Sequence, residues 1–169
     1  MNMIAEQLHH PPARARKTTD ASAVEALQIA LCPPEFLPFQ QAMNGQRVEA
    51  TYIIQRYIAL GLEARGHKLS FVAPQNLQEI VCTSDVNHPS LAAQSWSASR
   101  WFELSRRNSW RVQRLLGIPY LNFFANARLY DACLHCLPGH DLVYERNSLY
   151  KFSVALACKR HRLPYVLYF

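Results

Sequence analysis

The last 29 residues, Asp141 to Phe169, place two short apolar runs on either side of one helix-like segment, and few folds accommodate that arrangement. The first run begins at Asp141 and ends at the charged dipeptide Glu145-Arg146. The second is introduced by Leu163-Pro164 and runs to Phe169. Between them the residues read as about four turns of helix. A strand, a crossover helix and a second strand form a parallel βαβ unit, because parallel strands need a long connection. In open parallel sheets ligands bind beyond the carboxyl ends of the strands. Glu145, Arg146 and Asn147 therefore stand where a ligand would be met.

The preceding sequence repeats this grammar. Val24–Cys32 reads as a buried strand, ended by Pro33-Pro34 because proline cannot continue a central strand. A loop through Phe36, Pro38, Phe39 and Asn44-Gly45 follows, and Gln46 or Arg47 opens a long helix to about Arg65. Gly66 suits the left-handed position at a helix end, and His67–Ala73 is the next strand, stopped by Pro74. Gln78–Thr83 reads as a short third strand and Asp85–Ser95 as loop. Ser97–Leu116 and Tyr120–Leu137 read as helices closed by Gly117 and Pro119 and by Pro138-Gly139. Alternating strands and helices predict an α/β, Rossmann-like, doubly wound parallel sheet in one domain, residues 24–169, behind a flexible N-terminal tail of residues 1–23.

Composition narrows the class. Half of the 169 residues are hydrophobic and 18% are charged, as in globular domains. No apolar run approaches the roughly 18 residues a membrane span needs. Five cysteines, an odd number, suggest reduced thiols and a cytoplasmic location more than a disulfide framework. The net charge of +6 lies entirely in residues 85–169, which carry eleven Lys/Arg against five Asp/Glu. A one-sided basic half points to an anionic partner.

Four groups of residues are candidates for chemistry. Gly45, Gln46 and Arg47 lie at the predicted start of the first helix, where backbone N–H groups and a helix N-terminus can receive phosphate; alternatively Asn44-Gly45 is only a turn. The chain has no GxGxxG and no GxxxxGK[ST], so a conventional dinucleotide site and a P-loop are not indicated. Glu145, Arg146 and Asn147 offer planar donors and an acceptor for phosphate or sugar hydroxyls, or a structural ion pair. Cys133, Cys136, Cys158 and His161 have a zinc-like spacing, yet they fall within predicted helices among apolar neighbours, which favours core thiols and no metal. On the helix of residues 97–116, Arg100, Arg107, Arg111 and Arg114 fall within a wedge of roughly 60° beside Trp101, Leu104, Val112, Leu115 and Leu116. That face suits an anionic lipid surface, or it is a solvated basic face on a packed helix. The aromatic residues do not interleave with basic ones as a nucleic-acid platform would require, so no nucleic-acid partner is expected.

Two segments carry a family resemblance. Ala64 to Pro74, ARGHKLSFVAP, and His140 to Phe169, HDLVYERNSLYKFSVALACKRHRLPYVLYF, resemble the N-terminal domain of retaining GT-B glycosyltransferases of family 4. Asp141, Tyr144, Glu145, Arg146, Leu163, Pro164 and Val166 match the family's pattern. The resemblance implies a transferase moving a sugar from a nucleotide-sugar to a glycan or lipid-linked acceptor, with the nucleotide-sugar as co-substrate and no other cofactor. Gly45, Gln46 and Arg47 would face the donor phosphate, and Glu145, Arg146 and Asn147 the acceptor. The family's donor-binding domain carries an E-x7-E motif, which these residues lack. The expectation is a truncated N-terminal domain, inactive alone, working with a separate C-terminal domain and peripheral at the inner face of the membrane through residues 97–116. The alternative is a non-enzymatic α/β binding module.

Overall fold

The computed structural model describes residues 25–117, 123–146 and 151–168; the predicted tail and Asn147 lie outside them. Five strands form one sheet in the order β3-β2-β1-β4-β5. They are β1 (Gln28–Cys32), β2 (Lys68–Pro74), β3 (Ile80–Thr83), β4 (Leu142–Arg146) and β5 (Tyr165–Tyr168). β1 pairs in parallel with β2 and with β4, and β4 pairs in parallel with β5. The sheet is thus mostly parallel and flanked by helices, a Rossmann-like α/β fold.

β3 departs from the parallel expectation. It runs antiparallel to β2. Only residues 75–79 join the two strands, far too few for a parallel crossover. The Asn76 side chain shapes this turn by accepting from the backbone N–H groups of Gln78 and Glu79 at 2.7 and 2.9 Å, a turn built on an asparagine side chain.

A second departure concerns residues 36–43, expected as loop. They form helix α1 (Phe36–Met43). Its buried residues Phe36, Phe39 and Ala42 recur at helical spacing on one face. Pro38 does not prevent this, because it sits in the first turn, where backbone N–H groups lack partners anyway. The following helix, α2 (Ala50–Glu63), begins later than predicted. Gln46 and Arg47 therefore do not open it and lie exposed in the connection before it. The first strand is also shorter than read, starting at Gln28 and not Val24.

Two apolar layers sandwich the sheet. Phe36, Phe39, Ala42, Tyr52 and Ala59 from α1 and α2 cover Ile29, Leu31, Leu69 and Phe71 on one face. Helices α4 (Phe123–Cys136) and α5 (Ser153–His161) cover the other. There Leu129, Ala132, Cys133, Val154, Ala157 and Cys158 pack on Ala30, Cys32, Val72 and Val143. Helix α3 (Arg100–Leu116) belongs to neither layer, and none of its residues is buried. The serine at position 99 caps it, accepting from the Phe102 N–H at 3.2 Å. Gly117, at φ +62°, ends it in the left-handed conformation.

A buried polar anchor ties α3 to the body. Asp131 of α4 is fully buried and accepts four hydrogen bonds, from the N–H and hydroxyl of Ser95 and of Ser97. These hold the 3-10 turn Trp96–Ala98 that leads into α3. Burial alone would raise the Asp131 carboxyl, but the Ser97 and Ser95 bonds outweigh it and the carboxyl is held below its ordinary range. Arg128, one turn earlier, reaches the Leu77 and Ser97 carbonyls and Glu103 of α3.

Candidate functional site

At the carboxyl edge of the sheet, β1 leads into α1 on one face while β4 leads toward α5 on the other. The chain diverges between these adjacent strands, and such a switch point leaves a crevice where open α/β sheets bind ligands. A cavity of about 350 Å³ opens at this edge. Pro34 and Glu35 after β1, Pro74 to Leu77 after β2, Asn126 and Leu129 of α4, and Lys151 before α5 form its wall. Its size lies at the lower end of the small-ligand range, about 300–1,000 Å³.

The polar wall is held in place by hydrogen bonds. Lys151 donates from Nζ to the Pro34 carbonyl at 2.8 Å, joining the loops that follow β4 and β1. Burial pulls the Lys151 amine below its ordinary range, while the Glu35 and Glu145 carboxylates pull the other way. Asn126 is fixed at the N-terminus of α5, its Oδ1 accepting from the Ser153 hydroxyl at 2.8 Å and from the Phe152 N–H at 3.3 Å. Glu35 adds an acceptor, and Gln75 and Asn76 add amides. A ligand here meets one cation, several amides and a carboxylate above an apolar floor of Pro74, Leu77, Ile80 and Leu129. This set suits hydroxyl-rich molecules, which need donors and acceptors together.

The structure divides the dipeptide Glu145-Arg146. Successive strand residues point to opposite faces. Glu145, only 3% exposed, faces the α4/α5 layer beside Cys32, its partner in the β-ladder. It accepts a 2.5 Å hydrogen bond from the Tyr165 hydroxyl. Burial raises the Glu145 carboxyl, opposed by that bond and by Lys151. Arg146 lies on the other face, its guanidinium 5.2 Å from the centre of the Tyr168 ring, and Tyr168 stacks on Tyr144. The two residues do not form a pair. Neither lines the cavity, although Glu145 acts on it through Lys151.

The other predicted groups lie elsewhere. Gly45, at φ +75°, with Gln46 and Arg47, forms the exposed turn between α1 and α2 and does not line the cavity. Cys133 and Cys158 are buried in the core, where desolvation pushes the Cys133 thiol well up and the Cys158 thiol up to about 12. Among the described residues no cluster of three or more His, Cys, Asp or Glu is arranged to hold a metal ion. No described helix is long and apolar enough to cross a membrane.

Two residues of the quoted motifs have structural work at the amino edge, opposite the cavity. His67 Nδ1 accepts from the Leu27 N–H at 3.2 Å, and Asp141 accepts from the Gln28 N–H at 2.8 Å. The Asp141 N–H returns a bond to the Gln28 carbonyl. Together they fix the start of the central strand β1. Beside them, His140 Nδ1 lies 3.0 Å from the Leu137 carbonyl, an acceptor only, so Nδ1 carries the proton and Nε2 accepts from the Ser70 hydroxyl.

Lys151, Asn126 and Glu35 were missed by sequence reasoning. The signal for Glu35 and Lys151 was their place just after apolar strands. No local pattern marks Asn126, which reaches the site only through the packing of α4 against α5. Comparison with protein-family models, curated proteins and solved structures finds no match to this chain.

Proposed function

We propose that this chain is the acceptor-side, Rossmann-like domain of a retaining glycosyltransferase, and that its cavity receives a hydroxyl-rich sugar group. The observation that carries the reading is the cavity at the switch point, walled by Lys151, Glu35, Asn76 and Asn126. The motifs at Ala64–Pro74 and His140–Phe169 support it independently. Lys151 anchors a hydroxyl or an anionic substituent, Glu35 accepts from a second hydroxyl, and the amides fix orientation. Glu145 tunes the charge at Lys151 from behind the wall. In this reading the nucleotide-sugar is held by a donor domain bearing E-x7-E, a motif not found within these 169 residues.

Saturation-transfer NMR with a panel of mono- and disaccharides tests this. Sugars of millimolar affinity are expected to receive saturation, and amide shifts are expected at Asn76 and Asn126. Lys151→Met is expected to weaken binding about tenfold, the loss of one charge-assisted hydrogen bond. No saturation by any sugar, or shifts confined to surfaces away from the cavity, would refute the reading. Binding without transfer when a donor domain is added would favour the non-enzymatic binding module.

A further inference from the structure

Helix α3 has its apolar side on the wrong face for a packed helix. The residues that attach it to the domain are Phe102, edge-on to Trp96 and Phe124, and Glu103, bonded to Arg128. Arg106 lies on the same side, bonded to Glu103. On a helical wheel, Trp101, Leu104, Val112, Leu115 and Leu116 centre roughly 150° away from these, looking out from the domain. Trp101 is 78% exposed and Leu115 85%. An amphipathic helix normally buries its apolar stripe against the core. Here Phe102, Glu103 and Arg106 are fastened inward and the stripe of Trp101, Leu104, Val112, Leu115 and Leu116 is presented, and the Asp131 and Arg128 anchors hold it so.

We infer that α3 is a docking surface for an anionic lipid bilayer. The charge pattern selects this occupant. The helix carries five arginines, Arg100, Arg106, Arg107, Arg111 and Arg114, against one carboxylate, Glu103. Arg100, Arg107, Arg111 and Arg114 form a stripe along one flank of the apolar face. Lying flat, the helix sinks its Trp and Leu side chains about 5–10 Å into the interface while the arginines meet headgroup phosphates. A protein groove complementary to the apolar stripe would not by itself call for four aligned cations. The inference is independent of the sugar-binding reading, because the cavity and α3 share no residue.

Sedimentation of the full chain tests it, using vesicles of phosphatidylcholine alone and vesicles containing about one-third phosphatidylglycerol. Binding to the anionic vesicles is expected to be at least about tenfold tighter and to fall with salt. Arg107→Gln with Arg111→Gln is expected to weaken it roughly twenty-five-fold, about fivefold per arginine. Trp101→Ser with Leu115→Ser is expected to abolish it, and the tryptophan emission shift on binding with it. All four side chains are exposed, so unchanged melting curves separate lost binding from lost fold. Equal binding to both vesicle types, or none to either, overturns the inference. Self-association that Leu115→Ser removes, without vesicle binding, overturns it in favour of a second copy of the chain.

Discussion

Replacing Asp131 with alanine tests the anchor that presents α3. The carboxylate accepts four bonds, but they are not equal. Ser95 is exposed, so its two donors return to water at little cost. Ser97 is fully buried, and its N–H and hydroxyl, at 2.9 and 2.6 Å from Oδ2, lose their acceptor. Each buried bond to a charged group contributes about 1.5–3 kcal/mol. The hydroxyl can turn to Gln94 Oε1 at 3.4 Å, and removing a buried carboxylate relieves its desolvation. A net loss of about 3 kcal/mol remains. For a domain of this size that is a fall in melting temperature of roughly 6–12 °C. Urea unfolding followed by circular dichroism at neutral pH measures it. The sign with pH is also fixed. The folded-state carboxyl lies below its unfolded value, so its contribution is full above the ordinary aspartate pKa and is lost as pH falls through the folded one. The gap between parent and variant should therefore narrow in acid. A loss under about 1 kcal/mol, or a gap that widens in acid, would refute the anchor.

The opposite sign is expected at Glu145, whose carboxyl burial raises. Its stabilising contribution is full below the unfolded glutamate value and declines as pH rises through the folded one. Glu145→Gln keeps an acceptor for Tyr165, so it should melt at or above the parent at pH 8, with the advantage vanishing toward pH 4 in a thermal melt series. Gly66 sits at φ +85° with open space where a Cβ would go, so strain alone sets the cost of Gly66→Ala. A loss of about 1–2 kcal/mol in the same urea assay is expected, and an unchanged midpoint would show that the turn relaxes.

Much of the fold was legible because it rests on local rules. Apolar runs at residues 29–32, 71–73 and 142–144 read as buried strands when helices separate them, and Gly66 and Gly117 mark helix ends through their left-handed backbone. The errors arose where local signals compete. Pro33-Pro34 does end β1 at Cys32, but Pro38 read as loop because proline breaks elements, yet a proline in a first turn costs a helix nothing, so α1 formed on its buried Phe36, Phe39 and Ala42. The site was less legible than the fold. Glu145-Arg146 drew the eye as a charged pair, but strand alternation sends the two side chains to opposite faces. Lys151, Asn126 and Glu35 drew no attention because nothing near them in sequence says they converge.

By itself the sequence determined the layered α/β class, the order of the strands and of the helices other than α1, and the arginine stripe along residues 100–114. These follow from periodicity, turn chemistry and backbone sterics, which act over a few residues. The antiparallel course of β3 follows from the short Asn76 turn, and the structure made it plain. Only the tertiary structure decided which residues meet at the cavity and which way α3 faces. Lys151 reaches the Pro34 carbonyl across 117 positions, and Asp131 reaches Ser97 across 34. Contacts of that span are chosen by the packing of helices on a shared sheet, and no local pattern in the chain encodes them.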